Sequence, residues 1–112
     1  MPDDELVLVA VIDENGMLTG VGRAPKVAIA KISGAKIKSI EEIEVKWNNT
    51  HENEPEGLHH ANVARFLREH HTNVLLASGA GFDMRRMIEK LGIKFYINTG
   101  DYRSAIESFI NQ

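Results

Sequence analysis

Apolar and polar positions divide the chain into two halves of different rhythm. The first run, Leu6-Val7-Leu8-Val9-Ala10-Val11-Ile12, is apolar without a break and rich in β-branched residues, the pattern of a central strand covered on both faces. Asp13-Glu14-Asn15-Gly16 ends it with turn residues, and a Gly-rich stretch follows through Pro25. Lys26 to Ile32 is predicted to be a second strand, and Ser33-Gly34-Ala35 reverses the chain into an antiparallel hairpin. The third strand is predicted from about Lys36 to Trp47. There Ile43, Val45 and Trp47 alternate with Glu42, Glu44 and Lys46, so one face meets solvent. Ile37 keeps that phase and Ile40 breaks it, which points to a bulge near Ser39. From Asn48 to Gly57 the chain is polar and carries Pro55, the pattern of a mobile loop.

The second half alternates helix and strand. Leu58 to His70 is predicted helical, with Val63, Phe66 and Leu67 inward, and Val74 to Ala77 forms a short strand. Met84, Met87, Ile88 and Leu91 mark one face of a second helix, closed by Gly92. Ile93 to Ile97 is the last strand. Tyr102, Ala105, Ile106, Phe109 and Ile110 mark the last helix, with Thr99 or Asp101 as its N-cap. The order β-β-β-α-β-α-β-α places strands one, four and five parallel and strand two antiparallel to them. Right-handed crossovers then put helices on both faces, giving a three-layer α/β/α domain.

Composition narrows the chemistry. A length of 112 residues fits one domain spanning 1–112. A net charge of −3 argues against a general nucleic-acid surface. With no cysteine, neither disulfides nor thiolate-held zinc or iron–sulfur centres can form; a soft metal guest must bring its own ligands or meet histidine or methionine. The acidic start Met1-Pro2-Asp3-Asp4-Glu5 is not that of a signal peptide, and the seven-residue run Leu6 to Ile12 is too short to span a bilayer. The expectation is a cytoplasmic protein without membrane contact.

Two stretches, with the element order, carry a resemblance over nearly the whole chain. They are Gly22-Arg23-Ala24-Pro25, and Asn73-Val74-Leu75-Leu76-Ala77-Ser78-Gly79-Ala80-Gly81 followed by a helix and Leu91-Gly92-Ile93-Lys94-Phe95-Tyr96. The chain resembles the dinitrogenase iron–molybdenum cofactor biosynthesis family, which takes in NifX-like proteins, the C-terminal part of NifB and NafY-like carriers. The resemblance implies a ribonuclease-H-like five-stranded mixed sheet without nuclease activity. It also implies binding of an anionic metal–sulfur cluster or its precursor. Leu58-His59-His60 resembles the family's loop-to-helix histidine. The family often reads His-Phe-Gly-Arg-Ala, and here Gly20-Val21 occupies the His-Phe positions, so one candidate contact is missing.

Candidate binding residues follow from these motifs. Arg23 lies among small residues that let a guest approach the backbone, and its guanidinium can clamp an anion; the ordinary alternative is an anchor to a carboxylate. Ser78-Gly79-Ala80-Gly81 lies between a parallel strand and a helix, where amides accept negative charge. Gly79 and Gly81 are therefore candidate contacts, against the plainer reading of a tight turn. Met84 stands where a dinucleotide fingerprint needs its third glycine, which excludes that ligand. His59 and His60 are candidate metal ligands, alone or with His51. His70-His71 lies about 16 Å further along the helix and reads as a polar helix end. Met84 and Met87 read as core, and Trp47 as a lid over it.

Three functional classes remain distinguishable. A carrier would hold its cluster with Arg23, the amides near Gly79 and Gly81, and His59 or His60. An enzyme of the two-metal class needs converging carboxylates, yet Asp13 and Glu14 find no acid at the end of strand four, and Glu69 is remote along its helix. No Gly-x-Ser-x-Gly elbow exists. An adaptor or homodimer without a small ligand would pair through the half-exposed third strand. The sequence favours the carrier.

Overall fold

The computed structural model describes residues 5–47 and 56–111, with side chains in the second stretch described from His60 onward. The elements are β1 (Leu6–Ile12), β2 (Lys26–Ser33), β3 (Lys36–Glu44), α1 (Glu56–Glu69), β4 (Val74–Ala77), α2 (Phe82–Lys90), β5 (Lys94–Ile97) and α3 (Tyr102–Ile110). They form one five-stranded sheet in the order β3-β2-β1-β4-β5. β1 runs antiparallel to β2 and parallel to β4, β2 runs antiparallel to β3, and β4 runs parallel to β5. This is the mixed sheet that the pattern and the family resemblance implied. No helix among the described residues is long and apolar enough to cross a membrane.

β1 is apolar throughout because both of its faces are covered. Val9 and Val11 point into a core shared with Val63 and Leu67 of α1 and Met84 and Ile88 of α2. Leu8, Ala10 and Ile12 point the other way, against Tyr102, Ala105 and Ile106 of α3. Two helices thus cover one face and one helix covers the other. Fully burying an aliphatic side chain such as Leu67 or Ile88 contributes about 1.5–3 kcal/mol, and both are 0% exposed.

Local chemistry sets the ends of the elements. Gly34 and Ala35 both take positive φ in the two-residue β2–β3 turn, the geometry that matches the twist of a hairpin. Between Lys31 and Ile32 the β2–β3 register shifts, leaving Lys38 as the extra residue of a bulge, one position from where the broken hydrophobic phase placed it. α2 ends with Gly92 at φ 82°; Gly92 N–H donates to Glu89 O and Ile93 N–H to Ile88 O, a Schellman closure. α1 ends in the same way without glycine. His71 takes φ 53° and donates to Arg68 O, while Thr72 N–H donates to Leu67 O.

Two sequence expectations need correction. β3 stops at Glu44 rather than Trp47, because the amides of Val45 and Lys46 both turn back to Pro25 O and Lys46 adopts φ 56°. The alternation continues past the strand only because Trp47 swings under α1, where it is 4% exposed and meets Phe66 edge-on at 5.6 Å. α1 covers Glu56–Glu69 rather than Leu58 to His70. Of the two N-cap candidates for α3, Asp101 is the cap, accepting from Arg103 N and Ser104 N. The expected loop from Asn48 lies outside the described residues as far as position 55, and His51 with it.

Candidate functional site

The carboxyl ends of β1, β4 and β5 lie at one edge of the molecule, and their loops are stitched together by backbone hydrogen bonds. The segment after β1 crosses this edge. Leu18 N–H donates to Gly100 O, Thr19 N–H to Val11 O, Ser78 N–H to Thr19 O and Val21 N–H to Gly79 O. Gly20 and Gly79 form a parallel bridge, and Met17 bridges Asp101. The two backbones lie close enough that a Cβ at Gly20 would make an ordinary contact with Gly79 O at 3.7 Å.

Arg23 is held by its own neighbours. Val21 (7% exposed) and Ala24 (0%) sink into the core beneath it, and Arg23 N–H closes a turn on Gly20 O. The turn needs Gly22, at φ 93°. Between two buried anchors the Arg23 side chain is exposed, and among the described residues it makes no hydrogen bond or ion pair.

Ser78-Gly79-Ala80-Gly81 leads from β4 into α2. A Cβ at Gly79 or Gly81 would meet nothing within 4 Å, so this turn is open rather than crowded. Gly81 is the N-cap of α2 and supplies no side-chain acceptor. The first amides of α2 therefore face outward with their partial positive charge, moderated by Asp83 in the same turn. Phe82, the first residue of α2, is 74% exposed, with the Arg86 guanidinium 5.6 Å from its ring centre.

α3 shows the opposite arrangement at the same edge. Asp101 occupies its N-terminus, and the Ser104 side chain, then the amides of Arg103 and Ser104, hold its carboxyl below the usual carboxylate range. Asp13 is likewise occupied, its Oδ1 accepting from Asn15 N at 2.8 Å and Met17 N at 3.0 Å.

The geometry brings together some of the candidate residues. Arg23 and the Gly79–Gly81 turn are neighbours through the Val21–Gly79 bond. α1 reaches Asn73 at the opposite edge, where Asn73 pairs with Val7 through its backbone and its Oδ1. Its first turn, about 20 Å back along the axis, therefore points toward the loop edge. His60 follows in the next turn of α1 and is half-buried. The backbone of His59 belongs to α1, but its side chain lies outside the described residues. Among the described residues no three His, Asp or Glu side chains are grouped to hold a metal ion. His70 and His71 are at the far end of α1, with His70 against Phe66 at 4.3 Å. Met84 is core, 4% exposed. Sequence reasoning missed the Gly20–Gly79 bridge, because a backbone pairing of two glycines leaves no side-chain periodicity to read.

Comparison with known proteins places these features in a family. The chain matches the sequence profile described as "dinitrogenase iron-molybdenum cofactor" over residues 5–112. No curated protein matches significantly. The fold is similar to the crystal structure of PH0822, with a TM-score of 0.76 and 21% identity over 95% of this chain and 89% of the other. It is also similar to MJ0327 of Methanocaldococcus jannaschii, a candidate dinitrogenase, with a TM-score of 0.72 and 16% identity over 96% and 89% of the two chains. The solution structure of MJ0327 gives a TM-score of 0.70 at 15% identity, over 96% and 88%. These likenesses show the fold, and the profile match shows the family: this chain belongs to the dinitrogenase iron–molybdenum cofactor family.

Proposed function

We propose that the chain is a non-catalytic cytoplasmic carrier, a single domain over 1–112, that holds an anionic metal–sulfur cluster or its precursor at the carboxyl edge of the sheet. One observation carries this reading. The Gly20–Gly79 bridge ties the short segment that carries Arg23, whose side chain is exposed, to an open glycine turn ahead of a helix with no side-chain cap. Donors fixed in this way can receive negative charge without reorganising.

The donor set fits such a cargo in a particular way. With no cysteine, the chain offers no thiolate to the metal, so Arg23 and the amides near Gly79 and Gly81 would hold the sulfide or organic-acid periphery of the guest. His59 and His60 would be the metal ligands, since neutral imidazole is an iron ligand. Two carboxylates at this edge, Asp13 and Asp101, are engaged in a turn and a helix cap, which suits holding a guest better than transforming one.

The test is anaerobic gel filtration of the protein after incubation with a synthetic thiolate-capped iron–sulfur cluster, with iron and visible absorbance followed across the protein peak. Co-elution that falls as ionic strength rises supports the reading, because an exposed charge contact is screened by salt. A protein peak free of iron at low salt removes it.

A further inference from the structure

We infer that a second copy of this chain pairs with β3, antiparallel and about a twofold axis at Ile40, continuing the sheet from one molecule into the next. Among the described residues β3 is a nine-residue edge strand that pairs only with β2, and most of its residues are exposed. Such an edge presents unpaired amides and carbonyls. The other edge, β5, has four residues.

The charges on β3 fix both the occupant and its direction. Lys36 and Lys38 lie at one end, Glu41, Glu42 and Glu44 at the other, and Ile40 between them. An antiparallel copy lays the lysine end of each strand along the acidic end of its partner, while a parallel in-register copy sets lysine against lysine. The bulge at Lys38 moves the facing position by one residue, which sets Lys36 opposite Ile43, with Glu42 and Glu44 as its diagonal neighbours. Ile40 meets its own copy across the axis. Ile37, which pairs with Ile32 on the α3 face and is 36% exposed, joins Ile40 on that side of the seam. Main-chain bonds and the isoleucines supply the attraction, and the charges select the partner. Within one molecule Lys38 meets Glu5 at 2.9 Å and Lys26 meets Glu42 at 3.4 Å. Both are exposed pairs of small net value, so exchanging them for pairs across the seam costs little.

A one-strand seam belongs to the small, transient class of interfaces, so the test is sedimentation equilibrium up to about 1 mM chain. The wild type is expected to show a concentration-dependent monomer–dimer equilibrium that weakens in high salt. K36E/K38E makes β3 wholly acidic, and E41K/E44K makes it mainly basic; each variant alone is expected to be monomeric. An equimolar mixture of the two is expected to associate at least as well as the wild type, which misfolded chains would not do. A wild type that stays monomeric throughout, a dimer unaffected by either pair, or a mixture that fails to associate overturns the inference. None of these outcomes depends on cluster binding.

Discussion

The Val21 amide donates to the Gly79 carbonyl at 3.0 Å, tying the loop after β1 to the turn before α2. Through this bond a residue 58 positions earlier in the chain ties the segment that carries Arg23 to the glycine turn. Gly20 lies at the point of contact, where the family often carries histidine.

Gly20 is a place to restore that contact. Its φ is not positive, and a side chain there would make an ordinary 3.7 Å contact with Gly79 O. Gly20→His is expected to fold normally and to retain an iron–sulfur cluster about tenfold more tightly. The gain should vanish below about pH 6, where the imidazole protonates. Iron retained per chain after gel filtration, measured from pH 5.5 to 8, checks this; equal retention by both proteins would show that position 20 does not face the guest.

Tyr102 and Glu42 link α3 to the edge strand. The Tyr102 hydroxyl donates to Glu42 Oε2 at 2.8 Å. This bond, and secondarily Lys26, hold the Glu42 carboxyl below its ordinary value, while burial and then Glu42 push the Tyr102 phenol up. Tyr102→Phe should cost about 1 kcal/mol at neutral pH. A lowered carboxyl pKa gives stability that is present above the unfolded value and lost as pH falls through the folded one. The difference between wild type and variant should therefore shrink below about pH 4.5. Urea unfolding at pH 7 and pH 3.5 measures it; a difference that stays constant would mean the bond does not favour the ionised acid.

His71 occupies a left-handed position that glycine adopts without steric cost. His71→Gly should stabilise the protein by about 1 kcal/mol. A denaturation midpoint at or below that of the wild type would show that the imidazole makes a compensating contact.

Much of the architecture was legible because it rests on side-chain periodicity. The unbroken run from Leu6 to Ile12 announced a strand covered on both faces, and the phase break between Ile37 and Ile40 announced the bulge. Gly92 announced the end of α2. What escaped was set by the backbone or by distant parts of the chain. The end of β3 was misplaced because Trp47 continues the alternation after the amides of Val45 and Lys46 have turned to Pro25. At the candidate site, Arg23, Gly79 and Gly81 could be named from their motifs. Their adjacency depends on the Gly20–Gly79 bridge, which no side-chain pattern encodes.

The carrier reading stands most directly on Arg23. Wild type and Arg23→Ala, shown by circular dichroism to be equally folded, would be titrated anaerobically at low salt with a thiolate-capped iron–sulfur cluster, and bound iron followed to saturation. Loss of a charge-assisted contact predicts at least about tenfold weaker binding by the variant, with the gap narrowing as salt is added. Identical titration curves for the two proteins, or no saturable uptake by the wild type, would contradict it.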